Sequence, residues 1–178
     1  MIKLNTTYFL CLLLALSSAS CAAVEPAPPQ VDTETQASIQ APSTADDNPE
    51  HWPARAREVL VNALSLTGIR YQYGGNSPET GFDCSGFVGY VFKQATSLTL
   101  PRNALAISQL GKTVPKNELK PGDLVFFNTL KSAFSHVGIY LGNNRFIHSP
   151  SKGGQVRVEN MQEGYWANRF NGAQRIEQ

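Results

Sequence analysis

The segment Gly81-Phe82-Asp83-Cys84-Ser85-Gly86-Phe87-Val88 constrains this chain more than any other, because a glycine-bearing loop there runs into an apolar-periodic stretch with a cysteine at the junction. Asp83 is a good N-cap residue, so Cys84 is expected at the first helical position. The free N–H groups and positive dipole end of a first turn favour a thiolate, which predicts a lowered cysteine pKa. Phe87, Val88, Val91 and Phe92 form an apolar stripe, and Ser85, Gly86 and Gly89 carry little bulk. The expectation is a buried helix over Cys84 to Ala95 whose first turn stays open.

The remaining cysteines belong to a different part of the chain. Lys3 precedes the apolar run Tyr8 to Leu16, and small residues follow from Ser17 to Ala23, the layout of an export signal at residues 1–21. The run is shorter than the roughly 20 apolar residues a membrane span needs. Cys11 lies inside this signal and Cys21 ends it, so Cys84 is the one cysteine of the folded part. An internal disulfide is thereby excluded for the mature domain, leaving an inert buried thiol or a reactive one. Leu16-Ser17-Ser18-Ala19-Ser20-Cys21 resembles a bacterial lipoprotein signal, with Ser18 where an aliphatic residue is usual. The position of Cys21 favours lipid attachment there over ordinary cleavage after Ala22 or Ala23.

Residues 22–50 carry Pro26, Pro28, Pro29, Pro42 and Pro49 among Ala, Ser, Thr and Gln, with almost no large apolar side chains. Such a stretch cannot bury enough surface to offset its ordering entropy, so it is expected to be a flexible tether. It holds six acids and no Lys or Arg, whereas residues 51–178 hold 14 Lys plus Arg against 8 Asp plus Glu, a balance of +6. A basic exported domain steers toward wall carboxylates or lipid head groups rather than nucleic acid, although scattered solubility charge reads the same way.

Within the domain, Pro53 to Leu66 is expected to be a helix, with Val59, Leu60, Ala63, Leu64 and Thr67 on its packed face and Gly68 closing it. Tyr71 to Gly75 suggests a small edge strand. Asn103 to Leu110 suggests a short helix closed by Gly111. Strands are expected at Leu124 to Phe127, His136 to Leu141, Arg145 to His148 and Gln155 to Val158, with Gln174 to Ile176 as an added edge. Helices first and strands after them indicate an α+β domain with an antiparallel sheet.

A reactive cysteine needs a base, and His136 and His148 each stand at a strand end. The hairpin register decides whether they can meet. A two-residue loop, Asn143-Asn144, would oppose Ile139 to His148 and send the histidines to opposite faces. A three-residue loop, Gly142-Asn143-Asn144, would oppose Gly138 to His148 and make His136 its diagonal neighbour, roughly 7–8 Å away between Cα atoms. Asparagine tolerates the left-handed region, so the three-residue loop is the expectation.

In that arrangement Cys84 is the nucleophile, His136 its proton partner and later general acid, and His148 the residue that orients the His136 ring. The Cys84 N–H and a tyrosine hydroxyl would meet the oxyanion. Residue types alone leave three other readings open: two satisfied strand-end histidines, a Cys/His/His zinc site, and a tethered wall-binding protein without activity.

Six ordered motifs add a family. Tyr71-Gln72-Tyr73-Gly74-Gly75, Gly81 to Phe87, Leu100-Pro101-Arg102, Leu119 to Leu124, His136 to Tyr140 and Phe146-Ile147-His148 together resemble the NlpC-type cell-wall cysteine peptidases, in particular the Spr-like murein endopeptidase lipoproteins. The resemblance runs from about Pro53 to the end, with a loop at Asn76 to Thr80 one residue longer than in such relatives. It implies a reduced papain-like α+β domain over residues 51–178, with Cys84, His136 and His148 catalytic. It also implies oxyanion or substrate contacts from Tyr71, Asp83 and Ser85, Asp83 being a candidate partner for a substrate amine. The implied function is hydrolysis of an amide bond in peptidoglycan stem peptides or their cross-links, without metal or cofactor. The expected protein is a monomer on the periplasmic face of the outer membrane, touching the membrane only through a lipid on Cys21. An amidase or acyltransferase on the same fold would use the same residues.

Overall fold

The computed structural model describes residues 52–129, 132–151 and 154–176. The signal, Cys21 and the tether at 22–50 lie outside the described residues. Helix α1 spans Ala54–Ser65 and α2 spans Cys84–Thr96, with the short helices α3 at Ala104–Ile107 and α4 at Gly164–Ala167. A small hairpin joins β1 (Asn76–Ser77) to β2 (Gly81–Phe82). The main sheet comprises β3 (Lys112–Thr113), β4 (Leu124–Phe127), β5 (His136–Gly142), β6 (Arg145–His148), β7 (Arg157–Asn160) and β8 (Phe170–Arg175). Its strand order is β3-β8-β4-β5-β6-β7, and every adjacent pair is antiparallel.

Both faces of this sheet are covered, which is why β4 and β5 are buried along their whole length. On one face Leu124, Phe126, Val137, Ile139 and Ile147 meet Val59, Leu60 and Ala63 of α1 and Phe87, Val88, Val91 and Phe92 of α2. On the other, Val125, Phe127 and Phe146 gather around Met161, Trp166 and Ala173. Each fully buried Phe or Leu in such a core stabilises the fold by about 1.5–3 kcal/mol.

Several boundaries differ from expectation for local reasons. Leu64 and Thr67 are exposed, because α1 packs through Val59, Leu60, Ala63 and Leu66 instead. Tyr71 contributes one bridge, to Phe82, and the hairpin forms just after it. The fourth strand begins two residues later than Gln155. The terminal strand is longer than the expected edge at residues 174–176 and lies inside the sheet, between β3 and β4, so that β3 forms the edge. The first turn of α2 is open only at Cys84, which is partly exposed, since Ser85 and Gly86 are buried.

The β5–β6 hairpin corrects the expected loop and preserves its consequence. Gly142 pairs with Arg145, so the turn is the two-residue Asn143-Asn144. Both asparagines are left-handed, at φ 50° and 58°, as a type I′ turn requires. A straight ladder from that turn would have separated the histidines. Instead the register shifts between Tyr140 and Gly142, leaving Leu141 as an extra residue, so Tyr140 pairs with Phe146 and Ile139 with Ile147. A β-bulge changes the parity of a strand by one residue. It does here what a third loop residue would have done, and Gly138 comes opposite His148.

Candidate active site

Cys84 is held in place by the residue before it. Asp83 caps α2, its Oδ1 accepting from Gly86 N at 2.6 Å and from Ser85 Oγ at 2.9 Å. Its Oδ2 accepts from Gly74 N at 3.0 Å and Arg102 Nη2 at 3.2 Å. Arg102 also donates to the carbonyls of Gly74 and Gly75. One carboxylate therefore ties together the Tyr73-Gly74-Gly75 loop, the helix start and the Leu100-Pro101-Arg102 connection, three stretches well separated along the chain.

The opposite wall comes from the sheet. His136 opens β5 and His148 closes β6, and His136 Nε2 lies 2.7 Å from His148 Nδ1. The rings are nearly perpendicular, at 89°. Trp166 locks them: His136 stacks on its face at 28°, and His148 meets it edge-on at 82°. Beyond His148, Glu159 Oε2 stands 3.4 Å from Nε2. Sequence reasoning missed both Trp166 and Glu159. Extending the expected strand Gln155 to Val158 by one residue adds Glu159, which alternation puts on the face of Arg157, the residue that pairs with His148.

Tyr71, Asp83, Cys84, Ser85, Arg102 and His136 all line one cavity of about 490 Å³. The structure thus brings five of the six expected domain residues to a common space. His148, the sixth, is wholly buried behind His136. Ser85 is only 4% exposed and donates to Asp83 and the Arg102 carbonyl, so its hydroxyl is spent on the scaffold. The histidines bond ring to ring, and among the described residues no group of three His, Cys, Asp or Glu side chains is placed to hold a metal ion.

Electrostatics corrects the expected thiolate. Burial pushes the Cys84 thiol up, and the neighbouring Asp83 charge pushes it further. Backbone groups of Val137, Ser85 and Cys84 itself pull it down without reversing the shift. The helix start does help a negative sulfur, but desolvation and the capping carboxylate outweigh it. Burial and then the neighbouring His148 push His136 down to about 3, against the opposing pull of Glu159. At rest the cavity carries a neutral thiol on Cys84 and a neutral imidazole on His136, the state in which His136 can take a proton. Burial raises Tyr71, with further pushes from Cys84 and Asp83, so its phenol stays a donor.

The depressed histidines tie stability to pH. Above the unfolded value near 6.5 both states are neutral and nothing is lost. As pH falls below it, the unfolded chain binds a proton that native His136 refuses until about 3. The loss is about 1.4 kcal/mol per pH unit, or about 2 kcal/mol for His136 between pH 6.5 and 5. Thermal melts across that range should show a falling Tm, with a flatter profile for His136→Gln. A wild-type Tm that does not move would contradict a buried neutral histidine.

Comparison with known proteins decides the family. The NlpC/P60 family model matches residues 68–175, which carry the whole constellation. The chain belongs to the NlpC/P60 family. Among its relatives, murein DD-endopeptidase MepH of Escherichia coli is 41% identical over 126 residues, covering 68% of this chain and 46% of the relative. Gamma-DL-glutamyl hydrolase of Bacillus subtilis is 42% identical over 67% of this chain and 29% of its own length. The MepS murein DD-endopeptidase/LD-carboxypeptidase of Escherichia coli is 40% identical, covering 66% of this chain and 61% of the relative. The matched part thus spans between about a third and three fifths of these proteins. An NlpC/P60 protein from Bacillus cereus superposes with a TM-score of 0.64 at 32% identity, over 70% of this chain and 40% of that one. The NlpC/P60 domain of the peptidoglycan hydrolase SagA gives 0.60 at 30% identity, over 68% and 98%. The expected α+β papain-like class is therefore the class observed.

Proposed function

We propose that this NlpC/P60 protein is a peptidoglycan endopeptidase that cleaves an amide bond in stem peptides or their cross-links through Cys84. The observation that carries the reading is the shared cavity, with Cys84 on one wall and a His136 ring oriented by His148 on the other.

The chemistry follows from the neutral resting pair. His136 uses Nδ1, the ring nitrogen not bonded to His148, to take the Cys84 proton as sulfur attacks the scissile carbonyl. The Cys84 N–H at the helix start and the Tyr71 hydroxyl face the developing oxyanion. The imidazolium returns its proton to the leaving amine, giving a thioester and a free amino terminus. Water, deprotonated by His136, then attacks the thioester, releasing a carboxylate and restoring the thiol. The Asp83 carboxylate is taken up by the helix cap, Gly74 and Arg102, whereas the more exposed Arg102 guanidinium, which lines the cavity, offers a cation to a stem-peptide carboxylate.

Relatives of almost equal identity are named for DD-endopeptidase and gamma-DL-glutamyl hydrolase activities, so identity does not choose between the D-Ala to diaminopimelate and γ-D-Glu to diaminopimelate bonds. Product masses after digestion of purified muropeptides will name it. New amino termini must appear with the wild-type chain and not with Cys84→Ala; retained wall binding with no products from either would leave a non-catalytic wall protein. No helix among the described residues is long and apolar enough to cross a membrane. Export with lipid attachment at Cys21 predicts that the mature amino terminus is a blocked cysteine. A free Ala22 or Ala23 would end that part of the proposal.

A further inference from the structure

The His136–His148 pair admits two proton arrangements, and they differ in chemistry. In one, His136 Nε2–H donates to His148 Nδ1, leaving His136 Nδ1 a bare acceptor and placing the His148 proton on Nε2. In the other, His148 Nδ1–H donates to His136 Nε2, the proton of His136 sits on Nδ1, and His148 Nε2 is bare. The 2.7 Å contact fits both equally. Only the first leaves His136 a base toward Cys84. A neutral imidazole pair has no preference of its own, so something outside it must choose.

We infer that Glu159 makes that choice, acting as a positioning residue whose carboxylate selects the proton arrangement of both histidines. This rests on the catalytic reading of Cys84, His136 and His148. His148 Nε2 is a buried atom without an aligned hydrogen bond, and the group facing it is Glu159 Oε2 at 3.4 Å. An N–H there meets a carboxylate and is attracted; a bare lone pair there is repelled. The attraction holds the proton on Nε2, so Nδ1 must accept from His136 and the base is left uncovered.

The rest of β7 keeps Glu159 in this role. Arg157, which pairs across from His148 in the β6–β7 ladder, binds Glu159 through Nε to Oε1, leaving Oε2 for the histidine. Burial pushes the Glu159 carboxyl up, but His148 and Arg157 outweigh it and hold it down at about 2. The group is therefore charged at every pH where the enzyme would work. Among the described residues, the charged or titratable groups around the histidines are Glu159 and Arg157 from β7, Glu163 and Tyr165, which line a cavity with them and His136, and, across the Cys84 cavity, Cys84, Tyr71, Tyr73, Asp83 and Arg102; of these Glu159 is the anion that stands at Nε2. Trp166 holds the ring planes but carries no charge to prefer one proton position.

Glutamine is the informative replacement, because its amide has nearly the same shape and can either accept from Nε2–H or donate to bare Nε2. Long-range proton–nitrogen spectra of the full chain at neutral pH should show His136 protonated on Nε2 in the wild type and a mixture of both arrangements in Glu159→Gln. On muropeptides, Glu159→Gln should lose at least about tenfold in kcat with KM within about twofold, and Glu159→Asp should recover part of it. An unchanged nitrogen spectrum in Glu159→Gln, or a kcat within about twofold of wild type, would overturn the assignment, as would a kcat loss with the proton arrangement unchanged. If the wild-type chain cleaves no muropeptide, the functional reading falls, and the nitrogen spectra still decide for or against Glu159.

Discussion

Cys84→Ala will reduce muropeptide hydrolysis by about 10⁴-fold or more while the protein remains folded, since removing a nucleophile abolishes the covalent route altogether. The two halves of this expectation have separate causes. Activity is lost because no other group at the helix start can form a thioester beneath the Cys84 N–H. The fold survives because Cys84 borders the cavity and contributes only a partly buried sulfur to the core cluster. Cys84→Ser should be nearly as inactive: a hydroxyl holds its proton far more tightly than a thiol, and the same burial opposes its ionisation. Product analysis by mass, with circular dichroism on the same samples, checks both halves. Residual activity within about tenfold of wild type would remove Cys84 from the nucleophile role.

Gly86→Ala should be strongly damaging although Gly86 takes no part in the chemistry. A Cβ at Gly86 would fall well inside contact distance of the Gly75 carbonyl and 2.5 Å from Arg102 Nη1. The first obstacle is backbone, which cannot swing aside as a side-chain tip can. Relief requires moving the Gly74–Gly75 loop off the helix start, which breaks the Arg102 bonds to the Gly74 and Gly75 carbonyls and loosens the Asp83 cap. Overpacking of this kind costs about 3 kcal/mol, and the expected fall in Tm is roughly 10 °C. Activity should fall with it even below the melting transition, because the displaced loop carries Tyr71 and Tyr73 at the cavity wall. By contrast, Gly89→Ala should be tolerated, since a Cβ at Gly89 meets nothing within 4 Å. Equal melting temperatures for the two variants would refute the packing account.

Much of the site could be read from residue order, and the reasons for each success and failure are physical. Asp83 as a cap and Cys84 at the first helical position follow from local backbone chemistry, and both are observed. Alternation along β5 and β6 put His136 on the face of Tyr140 and His148 on the face of Phe146, also as observed. Joining those faces needed the turn, and there the inference reached the right register through the wrong loop. Two left-handed asparagines suffice for a two-residue turn, and a bulge at Leu141 supplied the missing residue of parity. Bulges depend on what the strand packs against, and Leu141 belongs to the core shared with α1 and α2; nothing in the local spelling announces that.

The chain by itself determined which atoms could do chemistry: a lone domain cysteine at a capped helix start and two histidines at strand ends. Helix capping, side-chain alternation and cysteine arithmetic are short-range properties, and they need no knowledge of neighbours. Tertiary structure alone decided the state of those atoms. Burial and the Asp83 charge make Cys84 a thiol where the helix start by itself favours a thiolate, and Trp166 and Glu159, remote in sequence, fix the planes and protons of the histidines. Solvation and charge–charge energies depend on distance in space, and the fold sets that distance.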